Sequence, residues 1–214
     1  MKVVAFAAAL TAVLGLAQGS GDAWLSWAAP RAEAIGRAAY VQGRVGGFFD
    51  TRLLKTERSY NYKLAATWMT GDVIRATARL QQIGQRLSDA EAMALVAEAE
   101  AVEGTVVLVE IDPREGSGVI PDDWSAFLQP ATDRGREARS VRGENRPRLR
   151  DVKALAGVRR RNYDYDRFWV VFPLRHADGL PLFAAGVAEA ELVVRIADRE
   201  GRVKWPIPPS LQAR

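Results

Sequence analysis

The segment Thr105-Val-Val-Leu-Val-Glu-Ile-Asp112 is apolar on both faces through Val109. A strand of this composition cannot leave either face in water. It therefore demands one apolar layer on each side, which excludes an isolated hairpin or a single exposed sheet. A chain of 214 residues is long enough for one such layered domain, or one domain plus an arm. With 48% hydrophobic residues, wholesale disorder is excluded.

The elements before this strand are helical. Val73, Ile74, Thr77, Leu80, Gln81, Ile83, Gly84 and Leu87 recur at helical spacing, with Arg75, Arg79, Gln82 and Arg86 on the other side. Thr70 suits the N-cap of this helix. Ser88-Asp-Ala-Glu91 has the Ser-x-x-Glu form of a capping box and starts a second helix, which Gly104 ends. The two form an αα-hairpin with almost no loop. Ahead of them, Tyr60, Tyr62, Leu64, Ala66 and Trp68 alternate with smaller or polar residues, so a strand with one aromatic face is expected.

After the central strand, residues 113–130 read as a loop rich in Pro, Gly and Asp, with Trp124, Phe127 and Leu128 pinning a short helical turn to the core. Residues 131–150 have few large apolar groups and many arginines, and are expected to form a mobile loop. Arg167–Leu174 and Glu189–Ala197 read as strands, and Asp198-Arg-Glu-Gly201 as a turn into Arg202–Ile207. The last four segments then form an antiparallel meander, ended by Pro206, Pro208 and Pro209. The fold class is α+β: a mostly antiparallel sheet, open or closed as a β-sandwich, with an inserted αα-hairpin. No βα alternation is present, which argues against a doubly wound nucleotide-binding fold.

The N-terminus reads as an export signal over residues 1–19: Met1-Lys2, then a 15-residue apolar run Val3–Ala17 and small residues at the cleavage positions. Residues 20–57 are an arm, in which Trp24, Leu25, Trp27 and Ile35 mark an amphipathic helix with Pro30 in its first turn. Residues 58–214 form the single domain. A mature chain without cysteine fits a bacterial periplasm or exterior, where a core of this size needs no disulfide staples. No stretch is long enough for a transmembrane span.

Zero cysteines exclude thiol catalysis, disulfides and cysteine-bound metal, and the single His176 excludes a multi-histidine metal centre. No metal ligand set or cofactor motif is recognisable. A triad would have to use His176 beside Asp178, and a solvated turn histidine is the simpler account. Arginine outnumbers lysine 25 to 5, beside 35 alanines, a bias that GC-rich coding explains. Its distribution says more. Residues 134–161 hold 11 basic and 3 acidic residues, whereas residues 88–115 hold 1 basic and 8 acidic ones.

Two stretches are candidate sites. The first gathers Glu110, Asp112, Arg114, Glu115, Asp122, Asp123 and Trp124. Paired carboxylates beside an aromatic platform suit glycoside hydrolysis, and the same oxygens suit calcium. The competing account is a capped loop whose charges serve the turn. The second is Arg159-Arg160-Arg161 before Asn-Tyr-Asp-Tyr-Asp166, where arginines beside aromatics can hold anionic lipid, acidic glycan or phosphate. Export argues against nucleic acid as the routine partner. The competing account is pairing with Asp164, Asp166 or the acidic second helix, worth only about 0 to 1 kcal/mol per exposed pair.

The blocks Asn-Tyr-Lys-Leu-Ala-Ala-Thr-Trp68, Val-Ile-Arg-Ala-Thr-Ala-Arg-Leu80, Val-Val-Leu-Val-Glu-Ile-Asp-Pro-Arg-Glu-Gly-Ser-Gly-Val-Ile-Pro121 and Arg-Phe-Trp-Val-Val-Phe-Pro-Leu174 resemble exported bacterial proteins of unknown function. The resemblance spans roughly residues 55–209 and implies no activity, cofactor or site. The expected function is a non-enzymatic envelope protein that binds or scaffolds an envelope protein, a glycan or an anionic surface. The alternatives are a carboxylate-dependent periplasmic hydrolase acting on glycans and a calcium-binding module.

Overall fold

The computed structural model describes residues 22–45, 62–113, 123–131, 139–158, 166–196 and 199–212. The expected export signal lies outside the described residues, as do Tyr60 and the segment 132–138. A 3-10 turn at Ala23–Ser26 leads into helix α1, Ala29–Gln42, with Pro30 in its first turn, where the missing N–H costs nothing. The helix thus begins later than the tryptophans suggested, and Trp24 is buried from the preceding turn. The helix stops at Gly43, where a Cβ would collide with the carbonyl oxygen of Ala66. That close approach lets the Ala66 N–H donate to Gly43 O at 2.8 Å. A short strand β1, Arg44–Val45, follows.

Helices α2, Gly71–Gln85, and α3, Asp89–Glu100, begin at the expected caps. The Val73 N–H donates to Thr70 Oγ1 at 3.5 Å. The Ser88 N–H donates to Glu91 Oε2 at 2.7 Å and the Glu91 N–H donates to Ser88 Oγ at 3.3 Å, completing the capping box. Between the two helices Arg86 adopts φ 57° and its N–H returns to Gln82 O, so α2 ends in a left-handed cap built without glycine. Helix α1 packs on α2.

The strands are β2 (Tyr62–Trp68), β3 (Thr105–Pro113), β4 (Ser125–Pro130), β5 (Val141–Arg142), β6 (Glu144–Asn145), β7 (Asp166–Phe172), β8 (Glu189–Ile196) and β9 (Arg199–Pro206). They form two antiparallel sheets, one ordered β1-β2-β3-β7-β6 and the other β5-β4-β8-β9. The central position expected for the Thr105 strand is observed: β3 is hydrogen-bonded to β2 on one side and β7 on the other. Its alternation divides the apolar content between two clusters. Val107, Val109 and Ile111 join Leu64, Ala66, Trp68 and Phe172 from the same sheet, and Leu128, Leu192, Val194 and Trp205 from the second sheet. Val106 and Leu108 face the helices, with Val73, Ile74, Ala78, Ala92, Val96, Trp169 and Val171. Both faces of β2 are covered from Leu64 to Trp68, so the strand has no open face opposite its aromatic one.

Three expectations need correction. Residues 125–130 are strand β4 and not a helical turn, because Ala126 and Leu128 alternate inward and the backbone pairs with both β5 and β8. The last strands are not a meander: β7 belongs to the first sheet, and β8 and β9 to the second. A period of two tells which face a residue occupies but not which strand lies beside it. Strand β9 also begins earlier than expected, at Arg199, which pairs with Ile196. Within the segment expected to be a mobile loop, residues 139–150 carry β5, β6 and most of a 3-10 turn, Pro147–Asp151.

Candidate functional site

The acidic stretch begins on β3. Strand alternation puts Glu110 on the helix-side face with Val106 and Leu108, and the register sets it between Ala65 of β2 and Arg167 of β7. Glu110 is only 3% exposed, and its Oε1 lies 3.3 Å from Arg167 Nε. That Nε is buried and makes no hydrogen bond, so the contact is an ion pair. Arg167 Nη2 donates to Ala156 O at 2.7 Å, and its guanidinium carbon sits 5.8 Å from the centre of the Trp169 ring. The pair cross-links β3 and β7, and a buried carboxylate needs such a partner.

Trp124 is half-buried, and its ring lies 4.6 Å from that of Phe168 at 53°. Phe168 and Trp124 pack against the cluster between the two sheets. Arg167 and Phe168 are consecutive on β7 and so point to opposite faces. Glu110 therefore lies on one side of the first sheet and the aromatic pair on the other. The acid-and-platform arrangement read from the sequence is not assembled from these two residues. Asp112 is two positions beyond Glu110 on β3, opposite Lys63 in the register. Asp123 is exposed in the turn before β4. Arg114, Glu115, Asp122, Arg159, Arg160 and Arg161 lie outside the described residues. Among the described residues no group of three or more His, Asp or Glu is arranged to hold a metal ion.

His176 sits in a turn closed by two bonds: its N–H donates to Leu180 O at 2.8 Å, and its carbonyl accepts from the Gly179 N–H at 2.9 Å. The hydrogen bonds of Asp178 go elsewhere. Its Oδ2 accepts from Arg139 Nη2 at 2.6 Å and its Oδ1 from the Leu180 N–H at 3.2 Å. The Arg139 bond first, and the Leu180 amide second, hold the Asp178 carboxyl below the usual aspartate range. This carboxylate fastens residue 139 to the turn after β7 and does not orient the imidazole.

Two further charged features stand out, the first with no counterpart in the sequence patterns and the second within the basic segment 134–161. On the outer face of the second sheet, Glu191 accepts from Gln129 Nε2 and from Arg202 Nη1, each at 2.9 Å. Glu200 accepts from Arg195 Nε at 2.7 Å and from Arg202 Nη2 at 2.8 Å, and these bonds lower its pKa, that from Arg195 most. Arg195 also covers the Phe127 ring at 5.0 Å. The register of β8 against β9 sets Arg195 opposite Glu200.

The second feature is an arginine-bearing edge. The chain pairs with β4 through Val141 and Arg142, turns at Gly143, then pairs with β7 through Glu144 and Asn145. A Cβ at Gly143 would strike Val170 and Phe172, so glycine is what lets one continuous segment join both sheets. Arg146 pairs with Glu144 at 3.0 Å, and Lys153 Nζ bonds Gln85 Oε1 at 3.5 Å. Arg142, Arg148 and Arg150 are exposed and have no carboxylate partner among the described residues.

Fold and site together define a mixed α+β protein, with two antiparallel sheets and three helices among the described residues, whose exposed chemistry is charged and rich in guanidinium. No family model, curated protein or solved structure matches the chain. Among the described residues no helix is long and apolar enough to cross a membrane.

Proposed function

We propose that this is an exported, non-enzymatic binding or scaffold protein of the bacterial envelope, periplasmic or secreted after loss of residues 1–19. In this reading the two sheets close as a β-sandwich, and α2 and α3 form an αα-hairpin laid on one of them. One observation carries it. The buried carboxylate and the aromatic ring of the candidate site are separated by the sheet, and each serves the fold: Glu110 pairs with Arg167, and Trp124 packs on Phe168. Export is supported by the apolar run Val3–Ala17 behind Met1-Lys2.

The test has two parts. Fractionation with N-terminal sequencing should find the protein outside the cytoplasm and shortened near residue 19. The purified mature chain should retain a specific envelope component in a pull-down while releasing no reducing ends from envelope glycans. Glycan cleavage that disappears on Glu110→Gln would replace this reading with the hydrolase.

A further inference from the structure

We propose that the edge traced by residues 141–153 binds an extended acidic polysaccharide, a proposal that rests on the binding-protein reading above. The edge is held rigid from beneath. Val141 is buried, the Arg146 N–H donates to Trp169 O at 2.8 Å, and Leu149 and Val152 pack into the helix-side cluster. Its three exposed guanidiniums, on Arg142, Arg148 and Arg150, have no carboxylate partner among the described residues and stand on this fixed backbone. Little backbone ordering is therefore lost when they meet an anion. A guanidinium recognises carboxylate or sulfate through two parallel hydrogen bonds.

The path of the edge selects the shape of the ligand. Arg142 neighbours Phe127 in the register of the second sheet, whereas Arg148 and Arg150 lie on the 3-10 turn beyond the edge of the first. Six residues separate Arg142 from Arg148, a span of at most ~20 Å. A single small anion meets one of these groups, whereas a linear polyanion lying along the edge neutralises several at once. A bilayer fits less well. The apolar side chains Leu149, Val152 and Leu155 turn inward and offer nothing to insert.

The experiment compares the full chain with two triple variants by titration against heparin and polygalacturonate at 50 and 150 mM NaCl, values chosen to bracket strong and physiological screening (about 8 Å Debye length at the latter). The first variant is R142Q/R148Q/R150Q. The second, R37Q/R44Q/R86Q, removes three exposed arginines elsewhere and matches the charge change. We expect binding that weakens with salt, falls about 100-fold in the edge variant at roughly fivefold per guanidinium, and changes only a few-fold in the control. Equal losses in both variants would reduce the effect to net charge and overturn the proposal. So would an edge variant that binds like the parent, or a parent that ignores both polysaccharides. Edge-dependent binding to vesicles of 30% phosphatidylglycerol, or to single-stranded DNA, without polysaccharide binding would overturn the ligand class. Release of reducing ends during the titration would instead sink the non-enzymatic reading and leave the edge standing.

Discussion

Trp68 is where the union of the two sheets can be tested. Its side chain is 3% exposed, lies on the inner face of β2, and meets Trp205 of the second sheet at 5.5 Å between ring centres and Phe183 at 6.2 Å. Its Nε1–H donates to Thr105 Oγ1 at 2.7 Å inside the core. Trp68→Ala removes the ring and leaves a cavity, a change that costs about 3–5 kcal/mol in well-packed cores. Trp68→Phe keeps most of the volume but strands the buried Thr105 hydroxyl, at about 1–3 kcal/mol. Adding Thr105→Val to Trp68→Phe removes both polar partners. The double variant should then be about 1 kcal/mol more stable than the sum of the single losses predicts. Urea unfolding of the mature chain, followed by tryptophan fluorescence and circular dichroism, reads the parent, the single variants Trp68→Ala, Trp68→Phe and Thr105→Val, and the double variant. The alanine variant should also melt roughly 10 °C lower, at about 2–4 °C per kcal/mol for a domain of this size. A Trp68→Ala loss below about 1 kcal/mol would refute the reasoning, because no ring buried against Trp205 and Phe183 in the core is removed so cheaply. Strict additivity in the cycle would refute the hydrogen bond alone.

Two smaller predictions concern local devices. Ser88→Ala removes the hydroxyl that accepts from the Glu91 N–H, leaving only the backbone half of the capping box, and should cost about 1 kcal/mol in the same urea assay, whereas Ser88→Asp should hold most of the stability. Asp178 titrates below the usual aspartate range because Arg139 and the Leu180 amide bind its charged form. A depressed folded-state pKa gives a contribution that is present above the unfolded value, near 3.9, and is lost as pH falls through the folded value. Arg139→Gln should therefore move the Asp178 carboxyl carbon titration upward in an NMR pH series. An unmoved midpoint would show that the Leu180 amide alone sets it.

The parts of this molecule legible in the sequence are those fixed by neighbours close along the chain. Thr70 and Ser88 announce helix starts because a cap is a contact of three residues, β2 announces itself by alternation, and β7 by its apolar run Phe-Trp-Val-Val-Phe. The candidate site was legible only as a composition. Its acidic and aromatic residues are close in sequence, but a strand sends consecutive side chains to opposite faces, and this separates Glu110 from Trp124. The guanidinium that Glu110 meets belongs to a strand 57 positions later, and no local pattern names it.

By itself the sequence determined that β2, β3, β7 and β8 extend, that α2 and α3 coil and where they begin, and that β3 must be covered on both sides. Water alone dictates that much, since an apolar strand face has to be buried somewhere. The tertiary structure decided which strand lies beside which, that Ser125–Pro130 joins the second sheet, and that Gly143 carries one segment from sheet to sheet. Ladder hydrogen bonds are alike for every residue except proline. The choice of neighbour therefore rests on how side chains from distant segments fill the common interior.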